Sequence, residues 1–350
     1  MSKPTLTHSF GNGTGYGNIT LLEDPTLCTL QTCDLTLSSF LYLPSLPANI
    51  TFAGLFGLLL GLQLLLGIKY KTWGYTVAMI LGLVCITILP VLIYTADRRL
   101  QALEIAGYVA RILLNGSPFE NDFFLLYLIT LTIAPAFLSA AIYLCLSRIV
   151  IVYGEHIAFF KPRTYTIVFC TCDCVSLILQ AAGGGIASSA DTLDDKDVGK
   201  NIMLAGLGFQ VVSLIVFLAC GTDLAIRVWR AKANRNPDYL KLTDSRLFNS
   251  FLVSLFIATV TIFARCVYRC VELSGGFNGE LFISDEPLFI VMEGAMISIA
   301  CSCLTVLHAG LCFKGAWQKA SFSFRKSEYS SVEELEALSQ SGEVKNRSAR

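Results

Sequence analysis

The residues best suited to chemistry in this 350-residue chain are a few acids, arginines and amides set inside long apolar runs. Asp173, Ser176, Gln180 and Gly183 recur at steps of three and four, which brings them onto one face of a helix. Such a face can contact a polar headgroup or take part in gating, and it can equally tie helices together by hydrogen bonds. The spacing leaves both readings open. Gln210 and Glu293 add an amide and a second deeply placed acid, and Arg148 follows the third apolar run. Arg265, Arg269 and Glu272 lie four and three apart. That pattern predicts a charged ridge with one i,i+3 pair, Arg265 snorkelling toward the interface.

Enzyme chemistry finds no foothold in these groups. No serine–histidine, paired-carboxylate or metal-ligand constellation has usable spacing, so no catalytic residue, metal or cofactor is expected. Cys170, Cys172 and Cys174 fall within an apolar run, where small buried hydrophobes are a better reading than zinc ligands. Gly183–Gly184–Gly185 lacks the Lys-Ser/Thr of a phosphate loop and suits close helix packing instead. Pro135 interrupts the third apolar run and predicts a kink or hinge. No basic stripe of a nucleic-acid binder is present.

The elements that position these groups follow from composition. The chain is 54% hydrophobic and only 15% charged, well below the ~25% charged of soluble domains. A crossing helix needs about 20 apolar residues. Seven runs qualify: Asn49–Ile68, Trp73–Thr95, Phe123–Cys145, Tyr165–Ala187, Met203–Thr222, Asn249–Tyr268 and Pro287–Leu307. Dry backbone must bond to itself, so an all-α polytopic membrane protein, a seven-transmembrane-helix bundle, is expected. Most of the 26 basic residues fall on one side of that arrangement, and Asp191, Asp194, Asp195, Asp197, Glu280, Asp285 and Glu286 on the other. The positive-inside rule then places the N-terminus outside and the C-terminus in the cytoplasm.

Three regions result: an extracellular segment 1–48, a membrane domain 49–310 and a polar, mostly disordered cytoplasmic tail 311–350. The outer segment carries glycosylation sequons at Asn12 and Asn18, and Cys28 and Cys33 as a candidate disulfide. The 223–248 loop and the tail are candidate surfaces for a cytoplasmic regulator, although anionic inner-leaflet lipid explains the same basic charge.

Several segments resemble the fungal lipid-translocating exporter family, RTA-like seven-span proteins linked to resistance to 7-aminocholesterol and sphingoid long-chain bases. They are Glu104–Ile–Ala–Gly–Tyr–Val–Ala–Arg111, Ala134–Pro–Ala–Phe–Leu–Ser–Ala–Ala–Ile–Tyr143, Asp173 through Gly185, Ala205–Gly–Leu–Gly–Phe–Gln210 and Arg265-xxx-Arg269-xx-Glu272. The resemblance implies export or transbilayer movement of amphipathic lipids at the plasma membrane, with membrane lipids as partners. The alternative it leaves is a seven-span receptor or regulator of lipid asymmetry. It also marks Glu104, Arg111, Asp173, Gln180, Gln210, Arg265, Arg269 and Glu272 as polar positions of the bundle. Glu293 stands where the family usually has Asp, and His308–Ala309–Gly310 where it has His-Pro-Gly.

One further departure concerns residues 84–101. In the family the Glu-xx-Gly-Tyr-xx-Arg segment belongs to the second span itself, whereas here roughly 20 extra residues intervene. Joining Tyr75–Leu83 to Ala102–Leu114 would restore a span of about 22 residues, long enough to cross. The stretch is read as a retained intron, with a genuine interfacial or re-entrant insertion as the alternative.

Overall fold

The computed structural model describes residues 45–87, 121–189, 193–231, 236–275 and 286–320. Its long helices are α1 (Leu46–Tyr70), α2 (Trp73–Thr87), α3 (Asn121–Tyr153), α4 (Pro162–Ser188), α5 (Leu193–Arg230), α6 (Arg246–Ser274) and α7 (Met296–Val306). A helical turn at Glu286–Phe289 and a π-helical segment, Ile290–Ala295, run directly into α7. Two short helices follow, α8 (Ala309–Cys312) and α9 (Ala316–Lys319). Prolines at the first turns of α1 and α4 start those helices, where a missing N–H costs nothing and the fixed φ is already helical.

Successive helices pack side by side, α1 on α2, α2 on α3, and so on to α7, which returns against α1. α3 also meets α6 and lies at the centre of the bundle. Its apolar stretch is 72% buried, against 28% for that of α1. The outer faces carry exposed Leu65, Ile178, Val216 and Val306, an apolar surface that suits a lipid environment. Six helical runs are long and apolar enough to cross a membrane: Leu46–Tyr70, Leu131–Tyr153, Pro162–Ala187, Asp194–Arg230, Arg246–Ser274 and Pro287–Cys312. Six of the seven expected spans are thus accounted for among the described residues. The second expected span, Trp73–Thr95, is helical over Trp73–Thr87, and the rest of it lies outside the described residues.

Close backbone contacts set the packing. The α1–α2 link turns through Lys71, whose φ is 54° and whose N–H reaches the Gly67 carbonyl. A Cβ on Gly67 would stand 2.3 Å from the Thr76 side chain, so α1 and α2 meet closely just beyond the turn. α4 and α5 meet through Gly183 and Gly199: a Cβ on Gly183 would lie 2.6 Å from both the Gly199 carbonyl oxygen and the Met203 amide. Gly185 has open space instead. α4 stays helical through all three glycines, and α3 is continuous across Pro135.

At the end of the bundle where α1 turns into α2, the chain past residue 310 folds back under the helices. Trp317 and Phe313 are buried, and their rings meet edge to face with centroids 5.1 Å apart. The Arg148 guanidinium lies 3.9 Å from the Trp317 ring centroid and donates to the Trp317 carbonyl. The first ten residues assigned by sequence to the tail, 311–320, are thus packed against the bundle; 321–350 lie outside the described residues.

Candidate functional site: a charged interior

α6 carries three ionisable side chains into the bundle. Arg265, Arg269 and Glu272 are each no more than 2% exposed. Arg265 does not snorkel, which corrects the sequence expectation. Its Nε and Nη2 donate to Glu293 Oε2 at 2.9 and 2.8 Å, and Nη2 also donates to the Leu131 carbonyl at 2.6 Å. The expected i,i+3 pair is present as Arg269 Nη1 to Glu272 Oε2 at 2.5 Å. Arg269 Nε stands 3.3 Å from Glu293 Oε1, linking the two pairs into one network. A buried charge without a partner costs several kcal/mol, so this mutual pairing is what makes four charges tolerable in the interior.

Glu293 reaches this network from the π-helical segment. A π turn carries one extra residue, which rotates the side chains on its two sides relative to an α-helix. Gly294 follows, and a Cβ there would lie 2.5 Å from the Phe52 ring of α1. The segment that presents Glu293 is thereby pressed directly onto α1.

Asp173 of α4 is different. It is 4% exposed, and neither of its carboxylate oxygens has a hydrogen-bond partner. The Tyr143 hydroxyl of α3 lies alongside without completing a hydrogen bond of normal geometry. Cys266, next to Arg265 on α6, lies within electrostatic reach of both Asp173 and the Arg265–Glu293 pair. This interior holds two arginines and three carboxyl groups; the arginines pair with Glu272 and Glu293, and Asp173 has no arginine partner.

The other residues of the α4 face behave individually. The Ser176 hydroxyl donates to the Asp173 carbonyl at 2.8 Å within its own helix. The Gln180 amide donates to Gln210 on α5 at 3.1 Å, a true interhelical bond. Below Asp173, Tyr143 packs on Phe217 and Phe169 with ring centroids 4.6 and 5.5 Å away. His308 is remote from the acids; its Nδ1 accepts from Gly310 N at 3.0 Å. Glu104, Arg111, Asn12, Asn18, Cys28 and Cys33 lie outside the described residues. No metal-holding group of His, Cys, Asp or Glu occurs among the described residues.

Sequence reasoning missed Tyr143 as the neighbour of Asp173, although the Ala134–Tyr143 segment had drawn attention. It also missed Gln63, fully buried on α1 near Tyr75. The signal was available in both cases, as a polar side chain within an apolar run.

Apolar spanning helices around a buried charged interior define a multi-pass membrane protein. Residues 101–316 match the family model described as "RTA1 like protein", and the chain belongs to that family. It is 32% identical over 300 residues to the sphingoid long-chain base transporter RSB1 of Saccharomyces cerevisiae strain Lalvin EC1118, covering 78% of this chain and 73% of that protein. It is also similar to Protein RTM1 of the same species, 29% identical over 57% of this chain and 61% of that protein. Protoporphyrin uptake protein 1 of S. cerevisiae strain S288c is 28% identical, over 55% and 60% respectively. No solved structure matches the chain.

Proposed function

We propose that this protein moves single-chain cationic amphipaths, sphingoid long-chain bases among them, from one leaflet of the plasma membrane to the other, and that Asp173 receives the ammonium head. The observation that carries this reading is the uncompensated Asp173 carboxylate, buried among paired charges. A buried anion without a partner is costly, and a bound ammonium removes that cost. The paired charges around it hold the helices in register. The similarity to the yeast sphingoid long-chain base transporter, which extends over 78% of this chain, supports the same substrate class. The arrangement further proposed is seven spans with the N-terminus outside, segment 1–48 extracellular and the tail cytoplasmic, as the distribution of basic residues favours.

Reconstitution tests it. Purified protein in liposomes with a fluorescent long-chain base on one leaflet is expected to accelerate leaflet transfer over empty liposomes. Asp173→Asn, close in size but uncharged, is expected to lower the transfer rate at least about tenfold, as for loss of a charge-assisted contact of ~1.4 kcal/mol or more. Wild-type protein with no acceleration would overturn the transport reading and favour a receptor or regulator of lipid asymmetry.

A further inference from the structure

A cavity of about 430 Å³ lies between α3, α5 and α6, outside the charged network. It runs along α5 from Phe217 to Trp229 and along α3 from Ile142 to Tyr153. Twelve residues of helix are about 18 Å, slightly more than one leaflet's share of a ~30 Å hydrocarbon core. Its inner walls, among them Ile142, Phe217, Leu255 and Val228, are buried, whereas Trp229 and Phe256 are largely exposed. The slot therefore opens sideways, toward surrounding lipid. No lysine, arginine, aspartate or glutamate lines it, so its chemistry suits a hydrocarbon chain and rejects a charged head.

Its deep end meets the charged interior. Phe217 lines the slot and packs on Tyr143 at 4.6 Å, and Tyr143 lies beside Asp173. One aromatic pair thus separates an uncharged slot of leaflet length from an unpartnered carboxylate. We propose that the two form a single binding site, in which Asp173 takes the ammonium of a one-chain amphipath and the slot takes its chain. This deepens the proposed function and rests on it for the cationic head. The occupant has its head at the depth of the bundle centre and its chain still at the depth of one leaflet, the arrangement of a lipid halfway through reorientation. A carboxyl at one end and an uncharged slot of about 430 Å³ at the other favour this ligand over anionic lipids.

Gly221 offers a clean probe. It lines the slot, and a Cβ there meets nothing within 4 Å. A leucine at this position adds side-chain bulk to the slot's wall, and its Cβ starts from open space. Gly208, on the same helix with equally open surroundings but away from the slot, is the control.

The experiment labels the purified wild-type protein with a clickable eighteen-carbon primary amine bearing a diazirine near the chain end. Photolabelling is expected on slot residues of α3, α5 and α6, and excess unlabelled amine should compete it away. Gly221→Leu should cut labelling about tenfold for the eighteen-carbon probe and much less for a ten-carbon one, with Gly208→Leu unchanged. Asp173→Asn should weaken labelling by the amine while leaving that by the matching neutral alcohol unaffected. Labelling outside the slot, labelling that unlabelled amine does not displace, or indifference to Gly221→Leu would overturn the composite site. Slot labelling that persists where liposome transfer fails upholds the site and removes only the transport reading. Intact transfer with labelling elsewhere removes the slot alone.

Discussion

At the scale of single residues, what separates Asp173 from the other buried acids is pairing. Glu272 and Glu293 each face an arginine, and Asp173 faces a tyrosine hydroxyl that does not complete a bond to it. Sequence spacing placed Asp173, Ser176 and Gln180 on one face but could not tell what each would bond. Ser176 at i+3 turns back to its own helix, as serine commonly does. The Arg265–Glu293 pair was illegible for a physical reason: its partners are 28 residues apart, and their meeting depends on a π turn that no apolar periodicity announces. The pair yields a test of its own. Breaking one side of a buried ion pair typically costs about 3–5 kcal/mol, whereas replacing both sides by apolar groups is often neutral. Glu293→Gln should therefore lower the thermal midpoint of the detergent-solubilised protein by many degrees. The double variant Arg265→Met/Glu293→Met, which keeps the Arg269–Glu272 pair, should recover most of that loss. Equal damage from the single and double variants would show that the pair is not acting as a unit.

At the scale of elements, the long helices were legible because twenty-residue apolar runs have few alternatives in lipid. Their fine contacts were not. Gly183, Gly184 and Gly185 look alike in sequence, yet only Gly183 meets backbone at a distance that excludes a Cβ. Gly184 has the Met203 sulfur at 3.8 Å, an ordinary contact, and Gly185 meets nothing. Small residues matter in membrane helix packing where backbones approach, and nowhere else. Gly183→Ala must push α4 from α5, because the opposing atoms are main-chain and cannot turn aside; overpacking of this kind costs about 1–3 kcal/mol. Gly185→Ala should be neutral or slightly stabilising, since alanine is the better helix former. Side-by-side thermal midpoints of the two variants check the contrast, and similar losses in both would show that the close approach at Gly183 is not what holds these helices. The same reasoning explains why residues 311–320 surprised the sequence reading. Composition assigned them to a polar tail, but Phe313 and Trp317 bring enough aromatic surface to dock against Tyr75 and Phe248.

At the scale of the whole molecule, the point that decides the span count is the stretch after α2. The described part of α2 is 15 residues, about 22 Å at 1.5 Å per residue, which falls short of a ~30 Å core. The family match opens at residue 101 and runs to 316, so it begins where the extra stretch ends. A helix that continued α2 directly into Ala102–Leu114 would be long enough to cross, and it would carry Glu104 and Arg111 to membrane depth beside α3, the central helix. With residues 84–101 in place, those two charges are separated from α2 by a run containing Asp97, Arg98 and Arg99, each costly at the centre of a bilayer. The seven-span arrangement is therefore simplest for a chain without this stretch, and the expectation is that the mature transcript lacks its codons. Reading the transcript across codons 83–102 checks this directly, and a continuous junction retaining the codons refutes it. The protein gives an independent reading. A variant lacking 84–101 should reach the membrane at least as abundantly as the full chain and run as a single species in detergent, because it restores one uninterrupted span. Aggregation or loss of that variant would instead make residues 84–101 a true element of the bundle, and would leave Glu104 and Arg111 outside the interior that Asp173 and Glu293 occupy.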